Sequence, residues 1–223
     1  MNVLETEIEN INKAVLEMMY LVQQQIEKSR TALLNRDVDL AEEIMVTEKR
    51  VNSLELTIDR YCENAIALYS PVATDLRFLI SMLKVNSDLE RIADYAAGIA
   101  SYVIEMEEEL DKKLLEAVRM NEMYDLAIEM IVTMEKGCRE EDTGQLRKLF
   151  KMDASLNKIN NKTSRVISEY IKTTPDLIRQ GFYLHSVIKK LERVGDHIKN
   201  VAEDFIFYLD AEVFKHRKKK NKL

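Results

Sequence analysis

Leu89-Glu90-Arg91-Ile92-Ala93-Asp94 returns 102 positions later as Leu191-Glu192-Arg193-Val194-Gly195-Asp196. The match extends outward from this hexapeptide. Seven of 24 positions are identical between Arg77–Ala100 and Arg179–Ala202, among them Arg77/Arg179 and Val85/Val187. Two unrelated amphipathic helices share apolar spacing, but not Glu, Arg and Asp in register. A dipeptide that restarts the chain, Ser70-Pro71 or Thr174-Pro175, precedes each window at nearly the same distance. The chain therefore reads as one helical unit written twice.

Composition agrees. Five Gly and two Pro in 223 residues lie far below the roughly 7% and 5% of average usage, so turns are few and helices long. Trp is absent and β-branched alternation is scarce, which leaves an all-α chain. The stop and start signals predict six long helices, arranged as two tandem, pseudo-symmetric three-helix bundles. The first helix ends near Leu34. Asp39-Leu-Ala-Glu42 has the form of a capping box opening the second, which runs to about Tyr69. Ser70-Pro71 caps and starts the third, ending near Glu107. The fourth runs from Glu107-Glu108-Glu109 to about Gly137, Asp142-Thr-Gly-Gln145 opens the fifth, and Thr174-Pro175 opens the sixth. Residues 1–107 thus form a first unit and 108–215 a second, with 216–223 a basic tail.

A net charge of −6 argues against nucleic acid as a partner of the body of the protein. The segment Lys215 to Lys222 holds six Lys or Arg and no acid, leaving the remainder at about −12. Such a tail can touch anionic lipid from the cytoplasmic side, or simply remain solvated. Cys62 and Cys138 form no C-x-x-C pattern, so reduced, partly buried thiols of a cytoplasmic protein are expected. The first residues lack a basic region followed by an apolar core, and no apolar run approaches the ~20 residues of a membrane span.

Glu90 and Asp94 lie one turn apart on one face of the third helix, in line with an apolar stripe. On the second helix Glu48, Asn52, Glu55 and Asp59 form a stripe, and Glu55-x-x-x-Asp59 repeats the four-residue spacing. A short turn makes these two helices antiparallel, so the acid pairs can converge. Like charges at that spacing repel, and partial burial raises the cost. A basic partner, protonation or a metal ion can relieve it, and four carboxylates without His or Cys suit hard cations such as Fe, Mn, Mg or Ca. The competing reading is that Arg91 and Arg193 neutralise the acids, which then form only a solvated face. In the second unit Glu192 and Asp196 recur, but their partner stripe reads Asp153, Asn157, Asn160, Asn161 and Ser164. His185 and His197 stand close enough in sequence to supplement that poorer site, but satisfied surface or core histidines are the more common outcome.

Ser70-Pro-Val-Ala-Thr-Asp-Leu-Arg77, Leu89-Glu-Arg-Ile-Ala-Asp94, Leu191-Glu-Arg-Val-Gly-Asp-His197 and Asn200-Val-Ala-Glu-Asp-Phe-Ile-Phe-Tyr208 resemble the PhoU family, regulators of bacterial phosphate uptake. The resemblance covers essentially the whole chain. It implies paired three-helix bundles that associate as homodimers, and multinuclear metal clusters, iron or zinc, held by E(D)-x-x-x-D pairs. Those positions here are Glu55, Asp59, Glu90 and Asp94, and in the second unit Asp153, Asn157, Glu192 and Asp196, with Asn157 departing from the acidic pattern. It also implies a non-enzymatic role linking the ATPase-driven phosphate ABC transporter to a sensor histidine kinase, as a negative regulator of the phosphate-starvation response.

No Gly-rich phosphate loop or nucleotide fingerprint is present. A carboxylate-bridged di-metal oxidase needs Glu-x-x-His, and no Glu precedes a His by three. A metal-free structural adaptor is the remaining alternative.

Overall fold

A computed structural model describes residues 3–211, so the basic tail lies outside the described residues. The helices are α1 Val3–Asn35, α2 Val38–Tyr69, α3 Ala73–Glu105, α4 Lys112–Ala117, α5 Met120–Arg139, α6 Thr143–Thr173 and α7 Ile178–Asp210, with a 3₁₀ turn at Pro175–Leu177 before the last. The all-α expectation holds. Helices α1, α2 and α3 pack on one another, as do α5, α6 and α7, giving two tandem three-helix bundles.

Local chemistry corrects three predicted boundaries. Asp37, not Asp39, caps α2: its backbone is extended and its carboxylate accepts from the Leu40 amide at 3.0 Å, while Asp39 is already inside the helix. Just before it, Arg36 takes a left-handed conformation, and its guanidinium donates to the Met106 carbonyl at 2.7 and 2.9 Å. That contact ties the α1–α2 turn to the end of α3. Ser70 does not cap α3; it closes α2 in the left-handed region, and α3 starts at Ala73 after a Val72 without a side-chain cap. Thr174-Pro175 opens a 3₁₀ turn rather than α7 itself.

The largest difference is the fourth helix, which is two. Asp111 caps a short α4 by accepting from the Leu114 amide at 2.7 Å, and its carboxylate also receives the Tyr170 hydroxyl at 3.0 Å. Arg119 then turns left-handed with φ 60°, so the chain breaks before α5 begins at Met120. Buried Met106 and Leu110 draw the intervening segment onto the core. Asp142, by contrast, caps α6 as expected, accepting from the Gly144 and Gln145 amides.

The two units meet where α3 crosses α7 antiparallel, and the contacts there come in related pairs. Lys84 faces Asp204 at 3.4 Å; moving each residue by the 102-residue repeat gives Ser186 and Tyr102, which hydrogen-bond at 2.7 Å. Asp88 accepts from His197 Nδ1 at 2.6 Å, and the counterpart pair is Lys190 with its ammonium 6.0 Å from the Tyr95 ring centre. The chemistry has diverged while the positions have held. A pseudo-two-fold axis therefore runs through this crossing. It explains why α3 is apolar on two sides: it serves its own bundle and the other unit, burying Leu79, Val85, Leu89, Ile92 and Ile99.

Both cysteines are buried free thiols. Burial, with the Asp59 carboxylate second, pushes the Cys62 thiol up to about 12, and burial raises Cys138 as well. Since the thiolate is the reactive form, a disulfide-exchange reagent at pH 8 is expected to modify neither in the native protein and both after unfolding. Stoichiometric labelling of the folded chain would contradict this packing.

Candidate metal sites on the two units

In the first unit α2 and α3 bring the predicted acids together. Asn86, fully buried on α3, donates one amide to both the Asp59 carboxylate and the Glu55 carbonyl, each at 2.9 Å. It locks the two helices in register beside Glu90, one turn further along. Asn52 likewise donates to Glu48 within the α2 stripe. Burial, then Asp94, Glu55 and Glu48, hold the Glu90 carboxyl above its ordinary range, against a partial opposing effect of Arg91. Burial, then Asp59, raise Glu55, again opposed by Arg91, with Asp94 adding to the rise. The acids of α2 and α3 thus disfavour one another's charge across the helix pair.

The compensation there is thin. Arg91 lies 3.3 Å from Asp94 and 3.7 Å from Glu90, and its own side chain is 59% exposed. Among the described residues no ion pair reaches Glu48, Glu55 or Asp59. Five carboxylates thus face one exposed guanidinium, and exposed pairs contribute little. This donor set fits a hard cation: all oxygen, net negative and backed by buried amides. As the side chains are placed, however, no three His, Cys, Asp or Glu of the described residues are arranged to hold a metal ion. Ligation at Glu55, Asp59, Glu90 and Asp94 requires the carboxylates to turn toward one another.

The second unit is built differently. Asp153 and Glu192 are buried, and Asp196 lies one turn beyond Glu192 on α7. Gly195 allows α6 to approach α7 here: a Cβ at that position would stand 2.4 Å from the Leu156 Cδ1. Lys199 reaches Asp153 at 3.1 Å and Asp196 at 3.0 Å. Lys189 pairs with Glu192 at 2.8 Å, and Arg193 with Asp196 at 3.3 Å. Asn157 donates to Asp153 at 3.2 Å and so supports the acid instead of adding another. Here the neutralising role read for Arg193 is realised, and extended by two lysines.

The histidines do not join this site. His197 turns away from it to Asp88, which also accepts from the Asn200 amide at 3.1 Å. His185 lines a groove of about 530 Å³ with Ile167, Ile171, Ile178 and Phe182, and its buried Nδ1 has no hydrogen-bond partner among the described residues.

Sequence reasoning missed Asn86, Lys189 and Lys199. Asn86 was within reach, since it lies four residues before Glu90 on the same face. Lys199 falls three residues after Asp196, but α7 carries enough basic residues that one more carries no signal without the neighbouring helix.

Against known proteins, residues 15–103 and 120–205 each match the family model described as the PhoU domain. A phosphate-specific transport system accessory protein PhoU homolog of Aquifex aeolicus is 34% identical over 216 residues, covering 97% of each chain. The PhoU accessory protein of Escherichia coli is 28% identical over 214 residues, covering 94% of this chain and 86% of its own. A crystal structure of PhoU from Pseudomonas aeruginosa superposes with a TM-score of 0.88 at 26% identity, over 93% of this chain and 99% of that one. A phosphate transport system regulatory protein PhoU from Streptococcus pneumoniae gives 0.81 at 26% identity, over 94% and 98%.

Proposed function

The chain belongs to the PhoU domain family, and from that premise we propose a non-enzymatic, cytoplasmic regulator of phosphate uptake that negatively regulates the phosphate-starvation response. It links the ATPase of the phosphate ABC transporter to the sensor histidine kinase and restrains starvation signalling while phosphate is plentiful. The observation that carries this reading is the match of both units, over nearly the whole chain, to accessory proteins of phosphate-specific transport. Among the described residues no helix is long and apolar enough to cross a membrane, which suits a protein that meets membrane partners from one side. Its mechanism is differential binding: a helical surface that prefers one conformational state of each partner shifts that partner's equilibrium.

The homodimer belongs to the same proposal. Exposed apolar residues on both units, such as Leu68, Val72 and Phe182, supply surface for a second copy. Metal enters through the first unit, where Glu55, Asp59, Glu90 and Asp94 would hold the ion or cluster, iron or zinc by family resemblance. Held by these residues, a cation would supply positive charge to acids that Arg91 leaves uncompensated.

Deleting the gene is expected to derepress phosphate-starvation genes in high-phosphate medium, with repression restored by the wild-type gene in trans. Transcript levels unchanged by the deletion would remove the regulatory reading.

A further inference from the structure

We propose that Lys199 is a built-in cation standing where a metal ion would bridge α6 and α7, so that the second unit takes no metal and the chain loads metal through the first unit alone. The part concerning loading rests on the metal reading of the first unit; the part concerning Lys199 does not.

The repeat makes the comparison direct. Moving back by 102 positions, Arg193 becomes Arg91, but Lys199 becomes Ala97 and Lys189 becomes Ser87. The helix that faces five carboxylates in the first unit therefore brings one cation. Its counterpart brings three cations to Asp153, Glu192 and Asp196. Carboxylates are also lost, since the α6 stripe brings Asp153 alone where the α2 stripe brings Glu48, Glu55 and Asp59. The second site is charge-balanced by side chains alone.

Position matters as much as count. The Lys199 ammonium sits at hydrogen-bond distance from two carboxylates on different helices, which is the task a bridging ion performs. Two carboxylates at hydrogen-bond distance favour the charged ammonium over the neutral amine. A divalent ion entering here would have to displace an ammonium from two acids, one of them buried, and lodge beside it. Asp153 keeps one buried oxygen, Oδ1, without a partner among the described residues; it faces the crowded contact at Gly195 and Leu156, and a single oxygen does not make a coordination sphere.

The test uses the full chain, stripped of metal by chelator, with Mn²⁺ alone as the probe. In a Glu90→Gln/Asp94→Asn background, which weakens the first site, the second unit is expected to retain no Mn²⁺ in equilibrium dialysis. Adding Lys199→Met should lower Tm by roughly 5–10 °C, because two acids lose their cation. Mn²⁺ should then raise Tm again and bind, and adding Glu192→Gln/Asp196→Asn should weaken that binding by about 10- to 100-fold. Lys199→Arg should keep the site closed to Mn²⁺. Two results overturn the proposal. One is Mn²⁺ bound in the background with Lys199 intact and lost on Glu192→Gln/Asp196→Asn. The other is a Lys199→Met chain that neither loses stability nor takes up Mn²⁺. Should that variant fail to fold, Glu192→Gln/Asp196→Asn in the otherwise wild-type chain decides: unchanged Mn²⁺ content supports the proposal and a fall overturns it. The first-unit reading fails separately, if the wild type and the Glu90→Gln/Asp94→Asn chain retain equal Mn²⁺.

Discussion

Asp88→Ala is expected to lower Tm by roughly 4–16 °C, from a loss of about 2–4 kcal/mol. Asp88 lies at the crossing of α3 and α7, where it accepts from His197 Nδ1 at 2.6 Å and Asn200 Nδ2 at 3.1 Å. A carboxylate can only accept, so Nδ1 carries the proton toward it. Asp88 and His197 are 15% and 20% exposed, which keeps both hydrogen bonds from being replaced freely by water. Truncation leaves two donors on α7 without their acceptor, and leaving such groups unmade costs more than the net gain of making them. The pseudo-two-fold provides the control. Lys190 is the counterpart of Asp88, but it acts by lying over Tyr95 and Tyr102 at 6.0 and 5.4 Å, a contact of about 0.5–1 kcal/mol at such a site. Lys190→Met should therefore lower Tm by only about 1–4 °C. Thermal unfolding of both variants checks the pair. Equal losses would mean that the crossing is held by its apolar contacts and that the polar divergence between the units is without consequence.

The legible part of the fold was the part with a repeating signal. Glu-Arg-x-x-Asp in register, few Gly and Pro, and apolar residues on two sides of the third helix together specify a duplicated bundle with α3 and α7 at its centre. Boundaries were less legible wherever two candidate residues stood side by side. Asp37 and Asp39 can each cap, and only the backbone at the Arg36 turn decides between them. The division of the fourth helix depends on Arg119 adopting a left-handed conformation, for which an arginine gives no local signal. It also depends on Asp111 finding Tyr170, 59 positions away. The candidate sites divide in the same way. Acids spaced by four on one helix can be read from the chain, whereas their compensation comes from a partner helix. The sequence therefore marks Glu55, Asp59, Glu90 and Asp94 as a group but leaves open whether Arg91 suffices. It marks Asp153 and Asp196 without showing that Lys199 lies between them.

Whether Arg91 suffices has a thermodynamic answer. Glu90→Gln/Asp94→Asn is expected to raise the Tm of the metal-free protein while abolishing its response to metal. Glu90 is nearly buried, with 16% of its side chain exposed, and burial together with Asp94, Glu55 and Glu48 disfavours its charge. Removing two charges from five at nearly constant shape relieves repulsion of a few tenths of a kcal/mol per pair, more where the groups are desolvated. That is a rise of about 1–4 °C for a chain of this size. With a divalent cation the order reverses. A site filled at a hundred times its dissociation constant stabilises the wild type by about 2.7 kcal/mol, or roughly 5–11 °C, and the variant gains little. The two melting curves should therefore exchange order on titration with Mn²⁺. If instead Arg91 alone balances these acids, the substitution breaks its pairs with Asp94 and Glu90, the metal-free variant melts lower than the wild type, and Mn²⁺ moves neither. The sign of one Tm difference, measured without metal, separates an acid cluster kept for a cation from an ordinary charged helix face.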